Sequence, residues 1–421
     1  MVDVDAALAV IAKKAEAVAP RRAGVLEGWQ SGEGWGGIGA WGAVLAETIR
    51  MGEESPRFDR AVVDGFALRS ANGNAHAELK VVGRVDAGAP FGGSVGPGEC
   101  VAINTGGVLP AGADAVLMVE HSEKMHKEGG EWMRVMRAVG AESGVHWRGS
   151  EAAAGSVVLE PGVRLGAGQI GACAAAGVGS VLVRRVLAGV ITTGDELVDP
   201  AAGGSGLGEG KIWNSNRPMV CGLVREAGGV AVDLGNCPDD AGEMERRLAA
   251  GLEQCDLLIV CGGMSMGTKD LAPGLLRGLG VEMHIEKVKM KPGKPFLFGT
   301  VVRGGVTKYV AGLPGNPVSA FVTFHRFVRE LMDRMTGAER PGARLVVAQM
   351  AGELPAGGDR DFYQPCRLMQ RGAVVVAEIL SWKGSGNMVM LGRTQGLLIQ
   401  RAGAAAVRAG EDVRVLVTGG T

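Results

Sequence analysis

The sequence predicts a multidomain protein of the α/β plus β class, and three observations support this prediction. The chain has 421 residues, enough for two to four domains of about 100–200 residues each. Residues 186–337 alternate apolar strand patterns with helical patterns, which is typical of a mostly parallel sheet covered by helices. Residues 58–145 and 338–421 hold short valine-rich runs between glycine-rich turns. They predict a small β domain and a C-terminal barrel or sandwich.

The first residues predict an amphipathic helix over 3–18, because Val4, Leu8, Ile11 and Ala15 follow one another at helical intervals. The next segment, GWQSGEGWGGIGAWG, is rich in glycine and tryptophan and predicts an irregular linker.

Further along the chain, the α/β region contains four strand patterns and two helical patterns. The strand patterns are VLAGVITTG, VAVDLG, DLLIVCGG and KYVAGLPG, and the helical ones are NRPMVCGLVREAGG and AGEMERRLAAGLEQC. Four more strands are predicted in the tail, namely ARLVVAQM, AVVVAEIL, GLLIQ and DVRVLVT.

Composition excludes several classes of partner. Lysine plus arginine (44) nearly balance aspartate plus glutamate (45), so the chain has no global attraction for nucleic acid or an anionic membrane. The seven cysteines are scattered without a CxxC pair, and the acidic N-terminus does not resemble a secretory signal; both features predict a cytoplasmic protein. No apolar run reaches the roughly 18 residues of a membrane helix. Any anionic ligand must therefore be held by a local cluster.

The loop CGGMSMGTKD follows one predicted strand and could bind a phosphate. Gly262, Gly263 and Gly267 would allow the backbone to approach the ligand closely, while Ser265 and Asp270 offer a hydroxyl and a carboxylate. The alternative is an ordinary turn between a strand and a helix, in which Asp270 only caps the helix.

The run EKVKMKPGKPF predicts an anion pocket. In an extended segment Lys287, Lys289 and Lys291 project to one face, and the Pro-Gly turn returns Lys294 close to Lys291. The alternative is a solvated basic edge strand.

The segment GLPGNPVSAFVTF joins a strand to a helix. Asn316 is a candidate N-cap, Pro317 suits the first helical turn, and Ser319 would lie near free amide groups. The same pattern could be no more than a helix start.

Seven motifs together carry a resemblance to a known family: VVDGFA, NTGGVLPAGADAVL, TTGDEL, NSN, GGMSMGTKD, KPGKP and GLPGNPVSA. In their order and spacing, from about residue 58 to the C-terminus, the chain resembles the molybdopterin molybdenumtransferase (MoeA) family, which is similar to the E domain of gephyrin. The resemblance implies a discontinuous N-terminal helical and extended domain (1–57 and 146–185), a small β domain (58–145), a MogA-like α/β domain (186–337) and a C-terminal β-barrel (338–421).

The resemblance also implies roles for individual residues. Asp64 and Thr105 match functional positions that face the partner subunit of a homodimer. The acidic positions tied to activity are Glu196, Asp239 or Asp240, and Asp270, with Glu196 and Asp270 as metal ligands. The positions that match the phosphate and molybdate pocket are Ser265, Lys291, Lys294, Pro295 and Ser319, and Arg360 and Ser385 resemble the family's oxyanion-binding pair. Lys287 matches a further basic position. The loop glycines Gly262, Gly263, Gly267 and Gly315 are predicted to bind the substrate beside them.

The activity that the resemblance implies is insertion of molybdate into the dithiolene of adenylylated molybdopterin, with release of AMP and with Mg²⁺ as the divalent cation. A MogA-type adenylyltransferase and molybdoenzyme-maturation proteins are the implied partners. One alternative function is a MogA-type adenylyltransferase, which leaves KPGKP and GLPGNPVSA without a role. Another is a non-enzymatic scaffold. It is favoured only by departures from the family pattern at RAVVDGFA and at RGSEA, where Glu151 stands for an aspartate.

Overall fold

The computed structural model describes residues 1–25, 39–86, 88–200, 207–264, 271–382 and 384–419. A π-helical turn, Phe324–Val328, joins two of the helices into one continuous helical segment. The α-helices in the described part are α1 (Val4–Lys14), α2 (Ala167–Ala175), α3 (Asn216–Glu226), α4 (Ala241–Gln254), α5 (Ala272–Gly278), α6 (Pro317–Thr323), α7 (Arg329–Thr336) and α8 (Met388–Leu391).

The strands fall into small ribbons and three six-stranded sheets. Those before residue 160 are β1 (Arg21–Gly24), β2 (Val44–Leu45), β3 (Ile49–Arg50), β4 (Arg60–Ala61), β5 (Gly65–Leu68), β6 (Glu78–Val85), β7 (Glu99–Ile103), β8 (Ala115–Met118), β9 (Ser122–Lys127), β10 (Gly130–Val135), β11 (Val145–His146) and β12 (Val157–Leu159). The next are β13 (Ser180–Arg184), β14 (Leu187–Thr193), β15 (Leu197–Val198), β16 (Ile212–Trp213), β17 (Val230–Cys237), β18 (Leu257–Cys261), β19 (Glu282–Ile285), β20 (Met290–Lys291), β21 (Leu297–Arg303) and β22 (Val306–Leu313). The last are β23 (Leu345–Met350), β24 (Asp361–Arg371), β25 (Val374–Ile379), β26 (Gly396–Gln400) and β27 (Asp412–Val417).

The chain divides into two compact units. One unit comprises residues 48–160 and 171–179, and the other comprises 1–47, 161–170 and 180–421. The smaller unit is built on a sheet with strand order β8-β5-β7-β6-β10-β9, in which only β6 and β7 are parallel neighbours. Phe66, Leu79 and Met133 are buried on this sheet. The predicted small β domain is confirmed as part of the fold class, while the four-domain boundaries stay a prediction.

The α/β part of the larger unit has a sheet with strand order β17-β14-β18-β22-β21-β19. The first four strands are parallel, as the sequence predicts for a mostly parallel sheet. The last two, β21 and β19, are strands that the sequence reading missed. Since β21 is joined to β22 by the tight turn Gly304-Gly305, with both glycines at positive φ, this side of the sheet is an antiparallel hairpin.

The C-terminal strands close into a five-stranded barrel in the order β24-β25-β23-β27-β26, with β26 pairing back to β24. The predicted barrel is therefore confirmed, but its longest strand, β24, was not among the predicted strands, and Pro365 lies in the middle of it. A proline is poorly tolerated inside a strand that is paired along its whole length. Here Pro365 lies where β24 changes neighbours: β26 pairs with residues 362–366, and β25 pairs with residues 366–371.

Helix α1 confirms the predicted N-terminal helix, although it ends at Lys14 rather than at residue 18. The Asp3 side chain caps it by accepting a hydrogen bond from the Ala6 amide. At the other end the Tyr309 hydroxyl donates to the Lys14 carbonyl and accepts from the Glu16 amide, so a tertiary contact holds the chain after the helix ends. Most of the predicted glycine- and tryptophan-rich linker, residues 28–38, lies outside the described residues.

All seven cysteines are buried. Within the described ranges, no helix is long and apolar enough to cross a bilayer.

The π-helical turn buries His325 against the Phe321 ring, with 4.5 Å between ring centroids. Burial, reinforced by the nearby Arg329 charge, lowers the pKa of His325 to about 3. The folded protein thus keeps this ring neutral, whereas the unfolded chain takes up a proton near the ordinary pKa of about 6.5. The contribution of His325 to the free energy of unfolding is therefore fully present above about pH 6.5 and is lost as the pH falls from there toward the folded-state pKa of about 3.

We expect the free energy of unfolding to fall by about 1.4 kcal/mol more between about pH 7.5 and about pH 5.5 in the wild type than in His325→Gln. Urea unfolding of both proteins at the two pH values measures this difference. His126→Gln, which changes an exposed histidine, is the control and should follow the wild type. Equal pH dependence of the wild type and His325→Gln would contradict the prediction.

Candidate functional site

Polar side chains connect three loops at the carboxyl ends of the parallel strands. The buried Asn214 amide donates to Thr192 Oγ1 (2.8 Å), and this hydroxyl donates to Asn236 Oδ1 (3.1 Å). Asn236 Nδ2 in turn donates to the Gly194 carbonyl (3.0 Å). The chain of bonds joins the TTGDEL loop to the NSN segment and to the residues before CPDD. The sequence reading missed these positioning residues; polar residues at the ends of apolar strands were the available signal.

The glycine-rich loops approach each other closely. Gly262 has a φ of +99°, and a Cβ added to it would lie 2.8 Å from the Thr193 carbonyl oxygen, so only glycine fits. A Cβ on Gly315 would lie 3.7 Å from Gly262 Cα. Gly263, also at positive φ, follows directly. The predicted loop glycines 262, 263 and 315 are thus brought together, and the Gly262 amide donates to the Leu313 carbonyl at 3.1 Å.

The predicted acidic residues have different surroundings. Glu196 is exposed and forms no ion pair within the part of the chain that the structure describes. Asp240 caps α4 by accepting a hydrogen bond from the Glu243 amide at 2.7 Å, so the helix start already explains this carboxylate. The Asp239 amide donates to Asp195 Oδ1, which holds the CPDD loop beside the TTGDEL loop.

The predicted residues Ser265, Gly267 and Asp270 lie outside the described residues. Within residues 1–25, 39–86, 88–200, 207–264, 271–382 and 384–419, no three histidine, cysteine, aspartate or glutamate side chains form a metal-binding group.

The lysine-rich segment has the predicted alternation. Val288 and Met290 are buried, while Lys289 and Lys291 are exposed and Lys287 is half-buried. The short strand β20 lies parallel to the start of β24, with Lys291 opposite Phe362. The Lys291 ammonium lies 4.6 Å from the centroid of the Phe362 ring, a cation–π contact that the sequence did not reveal.

This pairing brings the KPGKP turn beside Arg360, which immediately precedes β24. Arg360 is half-buried, and within the described ranges its ion pair is with its neighbour Asp359, at 3.5 Å. Lys294 is exposed, and Pro295, also in the turn, is half-buried. Two cationic segments that are far apart in sequence therefore meet at one edge of the barrel sheet.

Helix α6 contacts the same turn at its last residue and the loop around Ser385 at its first turn. A Cβ on Gly293 would lie 2.5 Å from Thr323 Cγ2, so the turn packs directly on α6. The Val318 amide, in the first turn of α6, donates to the Ser385 carbonyl at 3.0 Å. Ser319 is 5% exposed on this helix. Asn316 occupies the N-cap position as predicted, but its side chain makes no capping hydrogen bond.

The aromatic pair Phe362 and Trp382 links the Ser385 loop to β24, with 6.3 Å between ring centroids. The segments that carry Lys291, Lys294, Arg360, Ser319 and Ser385 therefore contact one another in pairs. Cations and hydroxyls are the kinds of group that bind an oxyanion.

In the smaller unit, Asp64 and Thr105 contact each other at the end of the β sheet. Asp64 Oδ1 accepts hydrogen bonds from the Thr105 amide at 2.6 Å and from its hydroxyl at 2.9 Å. These two bonds, of which the one from the amide has the larger effect, hold the pKa of Asp64 below its usual value. This exposed carboxylate is therefore charged at neutral pH. Glu151, the departure at RGSEA, accepts a hydrogen bond from Ser55 Oγ at 2.6 Å.

Two family models match the chain, one after the other. The first, described as "MoeA N-terminal region (domain I and II)", covers residues 2–177, and the second, described as "Probable molybdopterin binding domain", covers residues 189–334. Together with the mostly parallel sheet and the closed barrel, these two matches place the chain in the class of molybdenum cofactor biosynthesis proteins.

The curated relatives are more specific. The chain is 30% identical over 376 residues to the molybdopterin molybdenumtransferase of Haemophilus influenzae, covering 88% of this chain and 90% of the relative. It is 29% identical over 379 residues to the enzyme of the same name from Bacillus subtilis, covering 89% and 86%. The chain belongs to the molybdopterin molybdenumtransferase family, and it is an enzyme with a role in molybdenum cofactor biosynthesis.

A solved structure agrees with this assignment over the whole chain. The molybdopterin biosynthesis moeA protein from Pyrococcus horikoshii OT3 has a TM-score of 0.78 and 27% identity, and the match covers 99% of this chain and 100% of that protein.

Proposed function

We propose that this protein inserts molybdate into the dithiolene of adenylylated molybdopterin and releases AMP. The observation that carries the proposal is a series of contacts: the KPGKP turn contacts the start of β24 and the last residue of α6, and the first turn of α6 contacts the Ser385 loop. These segments supply three cationic side chains and two hydroxyls in one region. A protein that binds no oxyanion would not need them together.

The chemistry of molybdate matches these residue types. Molybdate is a tetrahedral dianion, which is stabilised by cations and by hydrogen-bond donors pointing at its oxygens. In our proposal Lys291, Lys294 and Arg360 provide charge, while Ser319 and Ser385 donate hydrogen bonds. The guanidinium of Arg360 can donate two parallel hydrogen bonds to an oxyanion, and the lysines act as point charges. Lys287, on the same segment as Lys291, adds positive potential.

The adenylylated end of the substrate is assigned to the strand-end loops. Gly262, Gly263 and Gly315 let backbone amides approach the pyrophosphate. Glu196 is an exposed carboxylate without an ion-pair partner in the described residues, which suits a ligand of Mg²⁺ together with Asp270. Magnesium, when bound, supplies a hard cation that offsets the charge of the pyrophosphate. We also propose that the carboxylates of Asp239 and Asp240, beside the Glu196 loop, contribute to activity. Asp240 caps α4 as well.

The protein's own contribution to the reaction is mainly positioning. Holding molybdate beside the dithiolene converts a bimolecular ligand exchange into a local one, an effect that can reach about 7–11 kcal/mol in the best-oriented cases. The substrate supplies both sulfur atoms, so no cysteine of the protein needs to take part.

An assay of AMP release from adenylylated molybdopterin tests this function. We expect release that requires molybdate and that falls when a chelator removes divalent metal. Formation of adenylylated molybdopterin from ATP and molybdopterin would instead indicate a MogA-type adenylyltransferase. Substrate binding without turnover under any condition would indicate a scaffold. Cytoplasmic localisation and contacts with a MogA-type enzyme and with molybdoenzyme-maturation proteins stay predictions.

We further propose that the active unit is a homodimer with shared sites. Asp64 and Thr105 would act on the strand-end loops of the other subunit, since they are polar residues that the core of their own unit does not require. A two-fold interface repeats each contact, so every dimer would hold two equivalent sites.

Mixing inactive Asp64→Ala and Lys294→Ala proteins tests the shared site. A mixed dimer would contain one site with both lesions and one site with neither. Random exchange should then recover about a quarter of the wild-type AMP release, since about half of the dimers are mixed and each has one intact site. Each variant exchanged only with itself is the control. No recovery after verified subunit exchange would show that the two residues do not belong to sites shared in this way.

A further inference from the structure

Asn216, the second asparagine of the NSN segment, has an amide group that is only half satisfied. It is the first residue of α3 and is 7% exposed. Its Nδ2 donates to the Gly315 carbonyl at 2.6 Å. Its Oδ1 is buried and has no hydrogen-bond partner in the described part of the chain. An unpaired buried acceptor costs free energy, so such an atom calls for an explanation.

The orientation of this amide follows from its partner. The Gly315 carbonyl can only accept, so the nitrogen of Asn216 must face it and the oxygen must face away. Exchanging the two atoms would place two acceptors against each other. The unpaired atom is therefore the oxygen, and only a donor can satisfy it.

The position of Asn216 lies among the proposed ligand-binding loops. Gly315 is close to Gly262, as the 3.7 Å separation between a Cβ on Gly315 and Gly262 Cα shows. The Arg217 amide, next in the chain, donates to Asn214 Oδ1, and Asn214 is itself bonded to Thr192. Ser215, the N-cap residue of α3, makes no side-chain capping bond. The start of this 11-residue helix is thus anchored between two strand ends.

We propose that Asn216 Oδ1 accepts a hydrogen bond from an N–H or O–H group on the adenosine or the pterin end of the substrate. This inference rests on the proposed function and adds a specificity-determining residue to it. Phosphate and molybdate oxygens offer acceptors to an amide oxygen and cannot pair with it. Amino groups, ring N–H groups and ribose hydroxyls are the donors that the substrate carries.

Two variants separate a ligand contact from a purely structural role. Asn216→Ala removes both amide atoms, whereas Asn216→Asp keeps an acceptor oxygen and loses the N–H that holds Gly315. If the oxygen contacts the ligand, the aspartate variant should bind better than the alanine variant. If the residue only holds the loop, both variants should bind equally poorly. Asn236 is the matched control, because both of its amide atoms are already bonded within the protein.

Calorimetric titration of the full-length protein with AMP, with inosine monophosphate and with molybdopterin is the experiment. We expect Asn216→Ala to weaken AMP or molybdopterin by about 3- to 10-fold, the size of one neutral hydrogen bond, and Asn216→Asp to retain most of the affinity. For the control, whose Oδ1 already accepts from Thr192, neither Asn236→Ala nor Asn236→Asp should change the preference of the protein for AMP over inosine monophosphate.

The ligand that responds identifies the donor. If Asn216→Ala binds AMP more weakly but binds inosine monophosphate normally, the donor is the adenine amino group. If it binds both nucleotides more weakly, the donor is a ribose hydroxyl. Weakening of molybdopterin alone indicates the pterin. In the first case the wild type should also prefer AMP to inosine monophosphate, a comparison that needs no variant.

Two results would overturn this inference and leave the proposed function standing. One is unchanged binding of every ligand by Asn216→Ala, and the other is an equal loss of ligand affinity in the alanine and aspartate variants. If the wild type bound neither AMP nor molybdopterin, the proposed function would fail together with the inference.

Discussion

Replacing Lys291 with alanine is expected to weaken molybdate binding about 10- to 100-fold, because a hydrogen bond to a charged group contributes about 1.5–3 kcal/mol. The side chain is exposed on β20, and its described ring contact is with Phe362, at 4.6 Å. Lys294→Ala should have an effect of the same order, since Lys294 lies beyond the same turn. Neither lysine is part of an apolar core, so both variants should fold normally.

Isothermal titration with molybdate measures this effect, and circular dichroism verifies the fold. Lys308→Ala is the matched control. Lys308 lies near the start of β22, about 16 Å along the strand from the end that joins GLPGNP, at roughly 3.3 Å per residue. Its removal should leave molybdate affinity unchanged. A well-folded Lys291→Ala protein with wild-type affinity would remove Lys291 from the pocket and favour the reading of the segment as a solvated basic edge.

Asp333→Ala is expected to lower the free energy of unfolding by about 3–5 kcal/mol, the usual cost of removing one partner of a buried ion pair. Asp333 is 1% exposed on α7. Its carboxylate accepts hydrogen bonds from Arg164 at 2.5 Å, from Arg329 at 2.8 Å and from the Gly342 amide at 3.0 Å. Arg164 also donates to the carbonyls of Gly42 and Ala227.

The loss is large because two guanidinium groups depend on this one carboxylate. Burial already lowers the pKa of Arg164, and Asp333 opposes that shift. Urea unfolding measures the effect, and Arg246→Ala is the control. Arg246 is 74% exposed and pairs with Glu243 on the surface of α4, so its loss should change stability by less than about 1 kcal/mol. A change of that small size in Asp333→Ala would show that the network adds little to stability.

Much of the fold could be predicted from local patterns. The four apolar runs of the α/β region became β14, β17, β18 and β22, and both helical patterns became α3 and α4. Apolar residues at a period of two or of 3.6 identify such elements because each needs one buried face, and that need can be read within a dozen residues. Strand β24 was not among the predicted strands. Its proline argues against a strand, and only the change of neighbours at Pro365 accommodates it.

The chemistry of the candidate site was predicted in parts. Glycines after a strand predict close approach to the backbone, and lysines around a Pro-Gly turn predict a positive charge. A serine in the first turn of a helix predicts a hydroxyl near free amide groups. All three follow from residue type and short spacing. The family resemblance added the order of the motifs, and the match to curated relatives over 88% of the chain agrees with it.

The sequence by itself therefore determined the class of fold, the family and the kinds of side chain available for an oxyanion. Only the tertiary structure decided which of them meet. Lys291 lies opposite Phe362 because β20 pairs with β24, and Ser385 reaches α6 through a backbone bond to Val318. The half-satisfied amide of Asn216 likewise depends on Gly315, far along the chain. Pairing between distant segments depends on the packing of the whole sheet and barrel, and a local pattern carries no information about it.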